Sequence, residues 1–368
     1  MGKLTRVLIV RETRFIMDQG KMDFLTRLLS TPGPSGYEQA PAKVWRDEAA
    51  TFADSVDHDV LGNSYAWLGS PDGPVVVIEG HIDEIGFLIT YVDEDGFLWF
   101  DKIGGWDDQV VVGQRVSIAT ESGEVKGVIG KKAAHLLKPA DRTKVTEVSD
   151  LWIDIGAANR AEALERVQVG DPIVIDATSF QLTDDLLVSR SVDNRAGAWV
   201  ALEALRLLSE DRPSVSVVSV AATQEEINMS GALHLSHRVK PLAGIAIDVT
   251  HATDYPGAGK KADNDVKLGG GPVLTRGSSI NPRVFAGLKA AAAELGINTP
   301  IQAAGRSSGT DADAMIRSGA GVAPGLVSIP NRYMHSPNEV VSLSDLEQAA
   351  QLIAAFVRTI TPESDFRP

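Results

Sequence analysis

Two patterns of hydrophobic and polar positions run along the sequence, and one interrupts the other. Residues 23–29 place Phe24, Leu25, Leu28 and Leu29 at the spacing of one helical face. The turn Thr31-Pro32-Gly33-Pro34-Ser35-Gly36 stops that helix. A second helix is expected after Ser35, with Glu38 as the third residue of a capping box, running to about Phe52. Residues 56–61 and 64–68 read as strands joined at Gly62-Asn63. Residues 74–79 form a nearly continuous apolar strand, as found in sheets covered on both faces. It leads into Gly80-His81-Ile82-Asp83-Glu84-Ile85-Gly86.

From there the runs shorten. Segments 87–91, 97–100, 110–118, 125–129 and 172–175 read as β, separated by Gly and Asp turns, with one short helix at 160–166. This spacing predicts a compact β-barrel or sandwich. After Ser191, helices at 194–210, 231–238, 282–295, 311–318 and 343–360 alternate with strands at 214–220, 242–249, 299–303 and 322–329. Such alternation predicts an α/β fold, a central mixed sheet with helices on both faces. The expected organisation is a catalytic domain of residues 22–85 plus 184–368, with residues 86–183 inserted as a small β domain. Residues 1–21 are expected to be a disordered or non-native leader. Their apolar core, Val7-Leu8-Ile9-Val10, is too short for a signal peptide.

Composition narrows the chemistry. The 368 residues are 43% hydrophobic and 23% charged, as in soluble globular proteins. A formal charge of -14 argues against nucleic acid as a main partner, since phosphate binding needs a basic face. No apolar run approaches the roughly 20 residues of a membrane span. Cysteine is absent, so disulfides and thiolate metal sites are excluded, and any metal must be held by His, Asp and Glu. A reducing compartment is compatible with this, and a cytoplasmic protein is expected.

Ligands of open α/β sheets bind beyond the carboxyl ends of the strands. His81, the pair Glu225-Glu226, Asp248 and His335 fall at or just past predicted strand ends, and Asp193 lies just before a helix. Each alone is compatible with a solvated loop, a cap or an ion pair. Together they offer two imidazoles and three carboxylates with a spare Glu, a donor set suited to Zn²⁺, Co²⁺ or Mn²⁺. If Asp193 bridges two ions, His81 and Asp248 complete one site, and Glu226 and His335 the other. Asp83, two residues after His81, would fix the imidazole tautomer as an orienting acid. Neighbours on an extended strand point to opposite sides, so Glu225 and Glu226 should divide their work. Glu225 would take a proton from an activated water and pass it to the leaving amine. His251 could line the same cleft but is left outside the ligand set. His58, His135, His234 and His237 read as surface or packing residues.

In this order, these residues resemble metallopeptidase family 42, the TET-type (tetrahedral) aminopeptidases, whose members are often labelled glutamyl aminopeptidase, or endoglucanase and cellulase M. The resemblance rests on Pro32-Gly33-Pro34-Ser35-Gly36-Tyr37-Glu38, residues 80–86, Ser191-Val192-Asp193-Asn194-Arg195, Gln224-Glu225-Glu226, Asp248-Val249-Thr250-His251-Ala252, Gly309-Thr310-Asp311-Ala312 and Tyr333-Met334-His335-Ser336. It implies an aminopeptidase with two divalent ions per subunit, Zn²⁺ or Co²⁺. The implied ligands are His81, Asp193, Glu226, Asp248 and His335, with Glu225 as general base and Asp83 as orienting acid. It further implies that the inserted β domain serves dimerisation and that peptide substrates reach a dimer or dodecamer. A cis peptide after Asp193 is also implied. Two departures stand out: the leader is longer than usual, and Asn194 replaces a frequent Asp. The Gly309 to Asp313 segment is expected to help shape the specificity pocket. The alternatives are an N-acyl amide hydrolase using the same metals, or a glycoside hydrolase working through two carboxylates. Aromatics make up only 6% of the chain and leave no evident stacking platform for sugar.

Overall fold

A computed structural model describes residues 17–319 and 321–368. Helix Gln19–Ser30 begins earlier than the expected domain start at Met22, because Asp18 caps it through the main-chain N–H groups of Gly20 and Lys21. Met17 packs into the core ahead of that cap, so residues 17–21 are ordered against the domain. Residues 1–16 lie outside the described residues.

The described strands, numbered along the chain, build one large sheet and one barrel. β1 Ser55–His58, β2 Ser64–Leu68 and β3 Val75–His81 come first. The barrel strands follow: β4 Gly86–Val92, β5 Leu98–Ile103, β6 Arg115–Thr120, β7 Gly123–Gly130, β8 Trp152–Asp154 and β9 Pro172–Ile175. The large sheet resumes with β10 Phe180–Gln181, β11 Leu186–Ser189, β12 Ser216–Ala222, β13 Ala243–His251, β14 Val273–Gly277, β15 Ile301–Ala304, β16 Pro324–Arg332 and β17 Glu339–Ser342.

The large sheet is mixed, in the order β1-β2-β12-β3-β13-β16-β17-β11-β10, with β14 and β15 attached at β16. Its centre, β12-β3-β13-β16, is parallel. Both faces are covered, which is why β3 reads as an apolar run. Val76 and Ile78 join the core under helices Gln19–Ser30, Val192–Glu210 and Leu343–Arg358. Val75 and Val77 join the core on the other face, with Leu235 and Met315. The six barrel strands close antiparallel in the order β4-β5-β8-β7-β6-β9 around Phe87, Ile89, Leu98 and Ile153.

Several local expectations give way. Residues 110–118 are not one strand: Asp107 caps a helical turn at Asp108–Val111, and Gly113 at φ 78° separates it from β6. Phe180 and Gln181, expected inside the insert, pair with β11 in the large sheet. Glu38 makes no capping box, since the second helix is Gln39–Ala49. Its carboxylate instead accepts from the N–H groups of Gly36 and Gln224, at 2.7 and 3.1 Å.

Candidate metal centre

The parallel strands deliver the candidate residues to one edge of the sheet. His81 ends β3, level with Ala222, the last residue of β12. Asp248 lies near the end of β13, opposite Ser328 of β16, and His335 follows β16. Asp193 lies shortly after β11, where the backbone at Asp193 and Asn194 departs from helical geometry and the peptide between them is cis. Gly80, just before His81, has to lack a side chain: a Cβ there would lie 2.4 Å from the main-chain carbon of Gly197.

All the predicted residues converge. His81 Nε2 lies 3.3 Å from Asp193 Oδ1, 3.7 Å from Glu225 Oε2 and 3.9 Å from Asp248 Oδ1. His335 Nε2 lies 3.3 Å from Asp193 Oδ2 and 3.4 Å from Glu226 Oε2. Asp193 thus presents one oxygen to each imidazole. The groups His81-Glu225-Asp248 and His81-Asp193-Glu226 are each compact enough to hold a metal ion. The other five histidines, at 58, 135, 234, 237 and 251, are exposed.

Glu225 and Glu226 do not sit on an extended strand. β12 ends at Ala222, Gln224 turns left-handed at φ 61°, and Glu225–Asn228 forms one helical turn. Consecutive helical residues diverge by about 100°. That suffices to send Glu225 toward His81 and Glu226 toward His335.

Asp83 holds this turn. It is fully buried, and its oxygens accept from the N–H groups of Glu225 and Glu226, both at 3.1 Å. Ser35 donates its hydroxyl to the same carboxylate, and His81 Nδ1 stands 3.2 Å from it. With Nδ1 directed at Asp83, Nε2 is left facing the cluster. Asn194 has a separate task. It donates Nδ2 to the carbonyl of Ile247 at 2.7 Å and accepts from the N–H of Gly197 at 3.0 Å. An ionised Asp could not make that donation.

The donor set fits divalent cations. His81 Nε2 and Glu226 Oε1 are buried without a hydrogen-bond partner among the described residues. Two buried carboxylates, of Asp193 and Asp248, and two partly buried ones, of Glu225 and Glu226, crowd two imidazoles, an arrangement that needs positive charge. Burial, aided by Asp311, Asp193 and Asp83 and opposed by His81, pushes Glu225 up to about 8. Burial and the Asp193 charge push Glu226 and Asp248 well up as well. Burial also opposes ionisation of Asp193, but the imidazoles of His335 and His81, each 3.3 Å from one of its oxygens, outweigh it and hold that carboxyl low.

Three groups here escaped the sequence reading in these roles. Glu38 grips the main chain at Gln224, and Glu339 accepts from the N–H groups of Asp193 and His335. Arg195, with no exposed surface, donates to the carbonyls of Ile82, Leu28, Thr31 and Gly33 and to Glu84. It lies within a motif the sequence singled out, yet a buried Arg has no periodic signature. Asp311, in the segment expected to shape a specificity pocket, is instead buried against Glu79. Beside the cluster runs a cleft lined by Ile85, Trp106, Ile175, Arg190 and Ser336, so the barrel contributes Trp106 and Ile175 to its wall.

Comparison with known proteins gives a consistent picture. The profile of M42 glutamyl aminopeptidase matches residues 62–352. The lysyl aminopeptidase of Pyrococcus furiosus is 32% identical over 350 residues, covering 94% of this chain and 99% of that protein. A TET aminopeptidase from a marine sediment archaeon of the Thaumarchaeota superposes with a TM-score of 0.89 at 31% identity, covering 93% of this chain and 97% of the other. The TET1 peptidase of Pyrococcus horikoshii, which can assemble into a tetrahedron or a large octahedral shell, has a TM-score of 0.82 at 32% identity, with 92% and 100% covered. Among the described residues no helix is long and apolar enough to cross a membrane.

Proposed function

The chain belongs to the M42 glutamyl aminopeptidase family and is a hydrolase of the aminopeptidase type, and from that membership we propose that it removes N-terminal residues from peptides with two divalent ions, Zn²⁺ or Co²⁺. His81 and Asp248 would hold one ion, Glu226 and His335 the other, and Asp193 both. Supporting this is the convergence of two imidazoles and four carboxylates at one sheet edge, with Asp193 offering an oxygen to each side. When bound, the ions supply Lewis acidity that acidifies water and polarises a carbonyl.

The remaining work falls to the chain itself. Glu225 lies within the cluster on the His81 side, 3.7 Å from His81 Nε2, as a general base serving a water in the cluster needs. It takes the proton of the attacking water and returns it to the leaving amine. Asp83 keeps Glu225 and Glu226 in register through their main-chain N–H groups. The narrow cleft beside Trp106 and Ile175 opens onto Asp193, Glu226 and His335, and marks the side from which the peptide would approach.

The barrel is proposed as the surface through which copies of this chain associate, by analogy with the shell-forming TET1 peptidase. Sizing with light scattering reads this directly against a 39.2 kDa protomer. The decisive experiment for activity is a panel of aminoacyl-anilides, each also offered N-acetylated, with metal analysis of the same preparation. Hydrolysis of the free-amine series alone, with two ions per protomer, is expected. Preferential hydrolysis of the acetylated series would replace the aminopeptidase reading with an N-acyl amide hydrolase.

A further inference from the structure

We propose that Glu339 is a positioning residue that sets the half of the metal centre built on His335, by holding the main chain of two ligands at once. The proposal rests on the two-ion reading above. Glu339 opens β17 and pairs with Ser189, the last residue of β11. β17 also pairs with β16. Glu339 therefore stands where two ligand-bearing loops leave the sheet, one running from β11 to Asp193 and the other from β16 to His335.

Its carboxylate is 2% exposed, and each oxygen has a distinct task. Oε2 accepts from the N–H of Asp193 at 3.2 Å. Oε1 accepts from the N–H of His335 at 3.2 Å and from Asn331 Nδ2 at 3.1 Å. All three partners are donors, so the position calls for acceptors on both sides. The two oxygens of a carboxylate meet that need, and an amide, with one oxygen and one donor nitrogen, cannot.

The loop it holds does not rest in an ordinary conformation. Tyr333 and His335 both have left-handed backbones, at φ 62° and 60°, which non-glycine residues rarely adopt. A hydrogen bond to the N–H of His335 is a direct means of keeping that turn. The imidazole is placed separately, packed against Gly105 in the loop after β5, where a Cβ would lie 3.2 Å from its Nδ1. Glu339 thus fixes where the His335 backbone sits, and the barrel loop fixes how its ring turns. On the other side of the centre, Asp83 grips Glu225 and Glu226 by the same device. Two buried carboxylates thereby hold four of the site residues by their N–H groups.

Glu339→Gln keeps the volume but turns one acceptor into a donor facing an N–H. Glu339→Asp keeps the charge but falls one methylene short. Both variants and the wild type are stripped of metal, checked for folding by circular dichroism, and titrated with Co²⁺ against a competing chelator. The wild type should bind two ions per protomer. Each variant should bind the ion on the His335 side 10–100-fold more weakly, the usual effect of removing a group that orients a ligand, and the ion on the His81 side by a smaller factor, because Asp193 alone among that ion's ligands is held by Glu339. Turnover of an aminoacyl-anilide should return when Co²⁺ is raised in proportion, which general structural damage would not allow. Two unchanged affinities in a folded variant overturn the role of Glu339, and if E339Q fails to fold, E339D decides by the same two affinities. A wild type that binds only one ion would instead overturn the two-ion reading itself.

Discussion

Glu79 and Asp311 bury their carboxyl groups against each other, and no donor among the described residues reaches any of the four oxygens. Glu79 lies on the same face of β3 as His81, two residues upstream. Burial pushes both acids up, Glu79 to about 8, so the pair retains a proton at neutral pH. Above that range the proton leaves and two charges face each other. Glu79→Gln supplies a permanent N–H donor to Asp311. It should leave the thermal midpoint of metal-free protein unchanged at pH 6 and raise it by a few degrees at pH 9, corresponding to about 1–2 kcal/mol. Differential scanning calorimetry at the two pH values checks this, and an equal shift at both would contradict a retained proton.

Metal-free protein should lose stability as pH rises from about 4.5 to about 8. Glu38, raised to about 7, and Glu225, raised to about 8, have folded pKa values above their ordinary ones, in each case chiefly through burial. The folded state then binds more protons than the unfolded state across that window, so unfolding free energy falls with pH. Bound cations would take over the role of the protons at Glu225. Urea unfolding at pH 5 and pH 8, with chelator and with Zn²⁺, should give a marked slope in chelator and a shallower one with metal.

Glu225→Gln should retain both ions and lose about 10²–10⁴ in kcat, the range for general acid–base catalysis. The carboxylate lies 3.7 Å from His81 Nε2, close enough to serve a water in the cluster. Steady-state kinetics with parallel metal analysis tests the assignment. Undiminished turnover would remove Glu225 as the base.

Chelation should abolish aminopeptidase activity, and Zn²⁺ or Co²⁺ should restore it. Ion binding to the folded state alone would also add about 2.7 kcal/mol of stability at a hundredfold excess over Kd. Paired activity and melting curves before and after chelation read both effects. Full activity in a preparation free of metal would end the metallopeptidase reading.

Arg195→Ala should destabilise the fold by about 3–5 kcal/mol, because it leaves Glu84 buried with one cation fewer and strips donors from four carbonyls. Equilibrium unfolding in urea measures the loss. A change under about 1 kcal/mol would mean that Arg190, which also pairs with Glu84, carries that network alone.

The cluster was legible because imidazoles and carboxylates at the ends of apolar strands are rare in combination, and because parallel strands share one carboxyl edge. His81, Asp248 and His335 each follow from that rule. What escaped was the hardware that holds them. Glu38 serves a main-chain N–H 186 positions away, and Glu339 one 146 positions away; no local spacing encodes either contact. Strand β17 is four residues long and falls between the expected strand at 322–329 and the expected helix at 343–360, where no element is read from sequence. The Glu225-Glu226 turn was mistaken for an extended strand end because a single left-handed residue, Gln224, redirects the chain. The large sheet and the barrel followed from their contrast in run length, while Gly113 hid the helical turn before β6.

The order of the strands also governs when this centre can exist. His81 precedes the whole barrel in the chain, whereas His335 and Glu339 come after nearly every other strand. A ribosome must therefore deliver the chain through β17 before the pairing of β11, β17 and β16 can bring Asp193 and His335 face to face. A nascent chain short of that point carries its acids and His81 apart from their last partner.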